Sequence, residues 1–492
     1  LSADTHAAQK TDVLIAGGGV AGLACGAALA DAGLRVSVFE AQAHLGGRAA
    51  SFEDLQTGLS VDIGPHVLTS EHRNFLALLE RLGTADAVCW QSRPLITLLD
   101  AGRVLRMQAP AWPPPLHGLA NLRNALRCVS LRDLLSNRRV AWHAARLDEA
   151  GLLEFDRRDA LQYLRGMGVT ERFIGWFWHS AVLALLNVPL ARCSAASVLR
   201  VFRLLIGRSG YCFGFPRTSL AALFAPGCRV CIEAVGGCVV TGEPVVGPLV
   251  REGRFAGFLL SGGREVRAAA GVMALPPQAL AAMAGRATGH GERATWLGAC
   301  EQDLCRFEPV PYVSTMLWLD RKVTQERFWA RAWRDGDLNT DFYDLSNIRP
   351  NLMSGPSLIA SNAIHAHPAA ALSDDDVIWQ TMRELADFAP SAKVAQLVHA
   401  RVHRIPMAVP APQPGTESCR PDGTTALPGL RLAGDWTATG LPCSMESAAR
   451  SGALAAEAIG RQFGFSLQLA QSPPDTVPPV AWLRARRTRR TR

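Results

Sequence analysis

The chain predicts an α/β protein in which a parallel βαβ unit is interleaved with a second domain of mixed sheet and helix. Three observations carry this expectation. A glycine-rich strand–helix–strand pattern opens the sequence at Asp12–Glu40. A run of short β segments with glycine turns lies between Gly227 and Leu280. A strand, "GLRLAGDWT", returns near the C-terminus and is followed by a helix, "SMESAARSGALAAEAIGRQF".

The opening pattern has a competing reading, because Val13–Ala30 is uncharged for 18 residues, about the length of a membrane span. Gly17, Gly18, Gly19, Gly22 and Gly26 weaken a spanning helix, and Asp31 stands at its edge. The alternative is a short buried strand "DVLIAG", a helix that stops at Gly33, and a second strand "LRVSVFE" that ends on Glu40. Gly17, Gly19 and Gly22 then form G-x-G-x-x-G. The first glycine makes a tight turn, the second admits a pyrophosphate, and the third lets helix and strand pack closely. The helix N-terminus offers unpaired N–H groups to phosphate. Glu40, 23 residues after Gly17, stands where a carboxylate accepts ribose hydroxyls.

A length of 492 residues suits two or three interleaved domains, and 48% hydrophobic residues suit a globular core. The first eleven residues lack an apolar run, and twelve scattered cysteines show no disulfide framework, so a reducing cytoplasm is the expected setting. The net charge of +8 is concentrated at one end: Ala481–Arg492 holds six arginines and no acid, leaving 45 basic against 43 acidic residues elsewhere. This tail follows the proline-rich "QSPPDTVPPV". It reads as a disordered solvated end or as a contact with an anionic membrane face. Nucleic acid is disfavoured, since no basic groove with interleaved aromatics accompanies it.

Between the termini, Pro94–Leu105 reads as strand, Leu116–Arg200 as mostly helix, and Pro311–Asp320 as strand. Ser373 with Asp376 reads as the N-cap of the helix that follows. Leu116, Leu119, Leu122, Leu126 and Leu134 recur at helical spacing among Arg123, Arg127, Arg132, Arg138 and Arg139. A core-facing amphipathic helix and a basic face lying in a bilayer interface both fit.

"HLGGRAASF" places Gly46 and Gly47 before Arg48, so a close backbone approach and a phosphate-pairing guanidinium follow the ribose acid. With "LAGDWTATGLPCSMESAARSG" near the C-terminus, these segments resemble the signatures of the flavin amine oxidase and phytoene desaturase superfamily. The resemblance implies FAD as cofactor and an amine oxidase-like fold, a Rossmann-type FAD-binding domain interleaved with a substrate domain. The expected FAD-binding segments are 1–95, 205–285 and 425–465. The substrate domain takes 96–204 and 286–424, and 466–492 is the basic, disordered tail.

The same resemblance implies roles for further residues. Gly434 and Asp435 reach the ribityl–phosphate region, and the helix starting near Ser444–Met445 points at the flavin pyrimidine. Gly64, after Asp62, lines the flavin ring. Gly227–Val235 fits the adenine-side strand, with Val235 as a backbone contact. Cys228, Cys231 and Cys238 lie in this run, but no histidine or further cysteine pair stands at ligand spacing, so no metal is expected.

"DIGPH" (Asp62–His66), "WPPPLHGL", "FWHSAVLALLNVPLARCSA" and "LAGDWTATGLP" narrow the resemblance to the squalene-associated flavin desaturases, the hydroxysqualene dehydroxylases, over about Thr11–Phe463. An isoprenoid lipid substrate is implied, with the electron donor or acceptor left open. His66 either orients a leaving hydroxyl or takes a proton, or simply closes a turn after Pro65. His179 reads as a helix residue at the pocket rim, and Asn187 as a helix cap before Pro189. Phytoene-type desaturation, amine oxidation and a non-catalytic flavin- or lipid-binding partner are the alternatives. The expected location is cytoplasmic, with the inner face of the membrane as the point of contact.

Overall fold

A computed structural model describes residues 11–91, 93–284, 296–365 and 369–488, with side chains to Arg484. The expected domain boundary at 285/286 and the last four residues of the tail lie outside them. The strands that position the site are β1 (Val13–Ala16), β2 (Val36–Glu40), β3 (Ile96–Asp100), β4 (Arg103–Met107), β5 (Cys238–Thr241) and β6 (Ala270–Met273). They continue with β7 (Pro309–Leu319), β8 (Phe328–Arg331), β9 (Asp341–Asp344), β10 (Leu358–Ala363), β11 (Leu397–Pro410) and β12 (Leu430–Leu432). The helices used below are α1 (Val20–Asp31), α2 (Leu122–Leu126), α3 (Leu131–Ser136), α4 (Arg138–Arg146) and α5 (His179–Leu186). After them come α6 (Ala195–Gly207), α7 (Ala225–Ala234), α8 (Asp374–Phe388), α9 (Met445–Gln462) and α10 (Val480–Thr488).

Two large sheets organise the molecule. The first is fully parallel, in the order β5-β2-β1-β6-β12, and draws its strands from both ends and the middle of the chain. Its central strands are buried along their whole length, as continuous apolar runs covered on both faces must be. Helix α1 is buried from Val20 to Ala30 because it is wedged between this sheet, α7 and α9. That enclosure explains the uncharged stretch. A Cβ on Gly452 of α9 would lie 2.3 Å from the Ala21 carbonyl oxygen, so the two helices approach backbone to backbone.

The second sheet has seven strands in the order β11-β7-β10-β9-β8-β3-β4 and is antiparallel except where β8 meets β3. One face packs on α8 through Leu317, Trp329, Phe342 and Ile359. The other turns toward the nucleotide loops. The segment between Leu116 and Gly207 is helical and closes over a separate apolar cluster that includes Trp178, Leu186 and Phe202.

Three expectations require correction. Gly227–Val235 is not a strand: it lies in α7, with Pro226 in the first turn and Val235 at the C-cap. Its β-branched alternation misleads, because the residues it buries are Ala225, Cys228 and Ile232, a helical period. The strand follows as β5, after Gly236 in the left-handed region at φ +81°. The tail is also not wholly disordered. Val477 N–H donates to Gly207 O at 3.0 Å, and α10 then packs against α4. Finally, the leucine stretch is a 3₁₀ segment (Leu116–Asn121) followed by α2, α3 and α4, and Leu116, Leu119, Leu122 and Leu126 are exposed rather than core-facing.

Candidate active site

The loop from β1 into α1 is shaped by what cannot fit there. A Cβ on Gly17 would sit 2.4 Å from Ala274 O, and one on Gly22 would sit 2.0 Å from Gly17 O. Gly19 caps α1 with no side-chain hydrogen bond, nothing lies within 4 Å of its would-be Cβ, and the first turn holds no acid. The helix therefore presents unpaired N–H groups to an open cradle of the kind that takes phosphate. At the end of β2, buried Glu40 accepts Gly18 N–H on Oε2 at 2.7 Å and Gln42 N–H on Oε1 at 2.8 Å. Both oxygens are thereby fixed, and each keeps a lone pair for a ribose hydroxyl.

The second glycine loop docks on the first. Gly46 N–H donates to Gly18 O at 2.8 Å, and a Cβ on Gly47 would lie 3.3 Å from Gly19 Cα. Gly46 and Gly47 adopt φ +105° and +56°, which glycine takes without strain. Arg48 is thereby aimed across the site, where its fork meets Asp435: Nη1–Oδ2 3.0 Å and Nη2–Oδ1 2.6 Å. Burial opposes the Arg48 charge, but the Asp435 carboxylate outweighs it and holds the guanidinium protonated. The bidentate grip foreseen for phosphate is made to this carboxylate instead.

The C-terminal signature is held by its own helix. Gly434 N–H donates to Ser451 Oγ at 2.9 Å, and Asp435 O accepts Ser447 Oγ at 2.7 Å. Met445 is the first residue of α9, whose N-cap Ser444 accepts Ser447 N–H at 3.2 Å. Arg420 braces the same loop, donating to the carbonyls of Asp435 at 2.6 Å and Leu441 at 2.7 Å. Its partner Glu417 also pairs with buried Arg200 of α6, so helix and loop are tied by one enclosed charge network. These three residues escaped the sequence reading, because nothing local marks an ion pair across 217 positions.

In "DIGPH", Asp62 has a structural duty. It accepts Ser51 Oγ and Leu220 N–H at 2.7 Å each, and pairs with buried Arg349 at 2.7 Å. Gly64 is buried against Ser314 and Asn362 of the second sheet. His66 Nδ1 lies 2.8 Å from Gly64 O, which can only accept, so Nδ1 carries the proton and Nε2 is left as an acceptor. Burial depresses the His66 pKa, Asp62 acts against that, and the nearby Arg48 charge reinforces it. The ring is neutral. His179 stacks on Trp333 at 4.7 Å, and Asn187 ends α5 in the left-handed conformation.

A cluster on the second sheet was not foreseen. Cross-strand register aligns Asp341, Asn362, Ser314 and His403 in one row, on the face that touches Gly64. Asn362 Nδ2 donates to Pro65 O at 3.3 Å, and Tyr343 O–H donates to Asp341 at 2.8 Å. Burial raises Asp341 to about 6, against hydrogen bonds from Tyr343, Asn362 and Thr340 that favour its charged form. "DFYD" carried the only local signal, an acid and a tyrosine two residues apart on one strand face. Tyr312, two residues before Ser314 on β7, packs against the buried helical cluster that Trp176 and Phe177 also border. Ile174–Trp178 winds there as a π-helical turn.

This geometry has known counterparts. A family model described as flavin containing amine oxidoreductase matches residues 20–460, and the chain belongs to that family. It is 27% identical to 15-cis-phytoene desaturase of Synechococcus elongatus over 91% of this chain and 95% of that one. It is 26% identical to hydroxysqualene dehydroxylase of Rhodopseudomonas palustris over 91% and 98%. Among solved structures, a putrescine oxidase aligns with a TM-score of 0.67 at 16% identity, covering 93% of this chain and 99% of that one. Cyclohexylamine oxidase of Brevibacterium oxydans aligns at 0.63 and 19%, covering 93% and 100%. The protein is an FAD-dependent oxidoreductase with an amine oxidase-like α/β fold. The open cradle at Gly19 and the fixed Glu40 carboxylate fit that cofactor. Among the described residues, no helix is long and apolar enough to cross a membrane.

Proposed function

We propose that this enzyme acts on an isoprenoid lipid and removes the hydroxyl of hydroxysqualene to give squalene. The observation that carries this reading is Asp341, a buried carboxyl joined through Asn362 to the His66 loop and raised by burial to about 6. Loss of hydroxide from an allylic carbon is slow, and protonation makes water the leaving group. Desaturation of a hydrocarbon needs no such acid, since it only removes hydrogen. Bound and reduced, FAD would supply the hydride that replaces the oxygen. The substrate hydroxyl donates to His66 Nε2, and Asp341 delivers the departing proton to its oxygen. Asn362 spans the two groups, bonding the His66 loop on one side and Asp341 on the other. Tyr312, Trp176 and Phe177, which border one apolar cluster, are the aromatic residues we assign to stabilising an allylic cation.

The electron donor that reduces the flavin is a separate partner of open identity. The test is to incubate the chemically reduced protein, without oxygen, with hydroxysqualene, and the oxidised protein with phytoene and with a panel of amines. Squalene formed in step with flavin oxidation is the expected result. Turnover of phytoene or amines alone overturns the reading.

A further inference from the structure

The stretch that opens the helical region is built inside out. Leu116 and Leu119, in a 3₁₀ segment where positions three apart eclipse, run on through Leu122 to Leu126 of α2 as one stripe. All four are exposed, at 54, 58, 37 and 47%. Leu131 and Leu135, one turn apart on α3, continue the exposure at 58 and 53%. Trp112 stands half-exposed just before them. An apolar surface of this extent normally marks a binding face.

Charge identifies the occupant. Between Trp112 and Arg146 the chain has six arginines and one acid. Arg123 and Arg127 each follow a leucine of the stripe by one position and are exposed, as are Arg132, Arg138 and Arg139. The one acid, Asp133, is occupied by Ser130 and Thr170 at 2.6 and 2.7 Å. Helix α10 packs against α4 and brings exposed Trp482 to the same region. A protein partner with an acidic rim would need a shaped counterpart, whereas leucine tips ringed by guanidinium groups match acyl chains under anionic headgroups.

We propose that the segment from Trp112 to Leu135 seats the protein on the surface of an anionic phospholipid bilayer, leucines among the upper acyl chains and arginines at the phosphates. This holds whichever lipid the active site takes.

Flotation of the full chain with vesicles tests it. Vesicles of equal phosphatidylcholine and phosphatidylglycerol should carry the protein up a density gradient, and pure phosphatidylcholine should carry much less. The Leu119→Gln/Leu126→Gln variant should partition at least about tenfold less, with flavin content unchanged. The Arg123→Gln/Arg127→Gln variant should lose several-fold, and only at low salt. Three results overturn the proposal. One is no flotation on the anionic vesicles. Another is flotation that survives the leucine changes but vanishes when Arg486, Arg487, Arg489, Arg490 and Arg492 become glutamine. The third is a wild-type dimer in sedimentation that the leucine changes return to monomer, with no vesicle binding.

Discussion

The parallel sheet and the seven-stranded sheet meet at the same site but are built on different terms. In the parallel sheet the decisive atoms are backbone: Gly17, Gly22 and Gly452 matter because any Cβ there would collide with a carbonyl. In the seven-stranded sheet they are side chains such as Asp341 and Asn362, brought into one row by register between distant strands. The first region can therefore be broken by adding a methyl group, the second only by changing chemistry. Cofactor binding depends on the former, and the proposed proton delivery on the latter.

The largest effect should come from Gly22→Val, where the new side chain would begin 2.0 Å from Gly17 O. Helix and strand must separate, so the protein should emerge without flavin and with its melting temperature sharply lowered. Arg349→Met comes next. It strips the cation from buried Asp62 and should cost about 3–5 kcal/mol in chemical denaturation, since an uncompensated buried charge remains. Glu40→Ala leaves Gly18 N–H and Gln42 N–H without their acceptor as well as removing the ribose contact. FAD affinity should fall by roughly two to four orders of magnitude, at about 1.5–3 kcal/mol for each of two charged hydrogen bonds, as read by flavin retained on dialysis. Val235→Ala should change neither flavin content nor stability by more than about 0.5 kcal/mol, because the residue ends a helix outside the nucleotide strands.

These contrasts also explain what was legible beforehand. The nucleotide unit could be read because its requirements are local: Gly17, Gly19 and Gly22 share one turn, and Glu40 ends the next strand. Gly46–Arg48 and Gly434–Asp435 were each recognisable in their own segment, but their meeting was not, since 387 positions separate Arg48 from Asp435. Asp341 was invisible for a related reason. Its partner Asn362 comes from another strand and links it to Pro65, and beyond the "DFYD" spacing an acid in a β run carries no local mark. The Gly227–Val235 strand reading failed where β-branched residues and helical burial coincide, and propensity lost to packing against α1. For the leucine stretch the sequence left a core-facing and a surface-lying face open, and the structure exposes the leucines. Their periodicity is real, but it says only that one face is apolar, not that protein covers it.

The account rests most heavily on the division of labour between the two sheets, and single-turnover kinetics address it directly. Reduced enzyme is mixed with hydroxysqualene without oxygen, and flavin oxidation is followed across pH for the wild type and Asp341→Asn. In the proposed dehydroxylation Asp341 acts protonated, and burial raises its pKa to about 6. The wild-type rate should therefore fall as pH rises through that value. Asp341→Asn should keep its full flavin complement and be about a hundredfold slower, with a flat profile. A variant that keeps both the wild-type rate and the wild-type pH dependence would contradict the account.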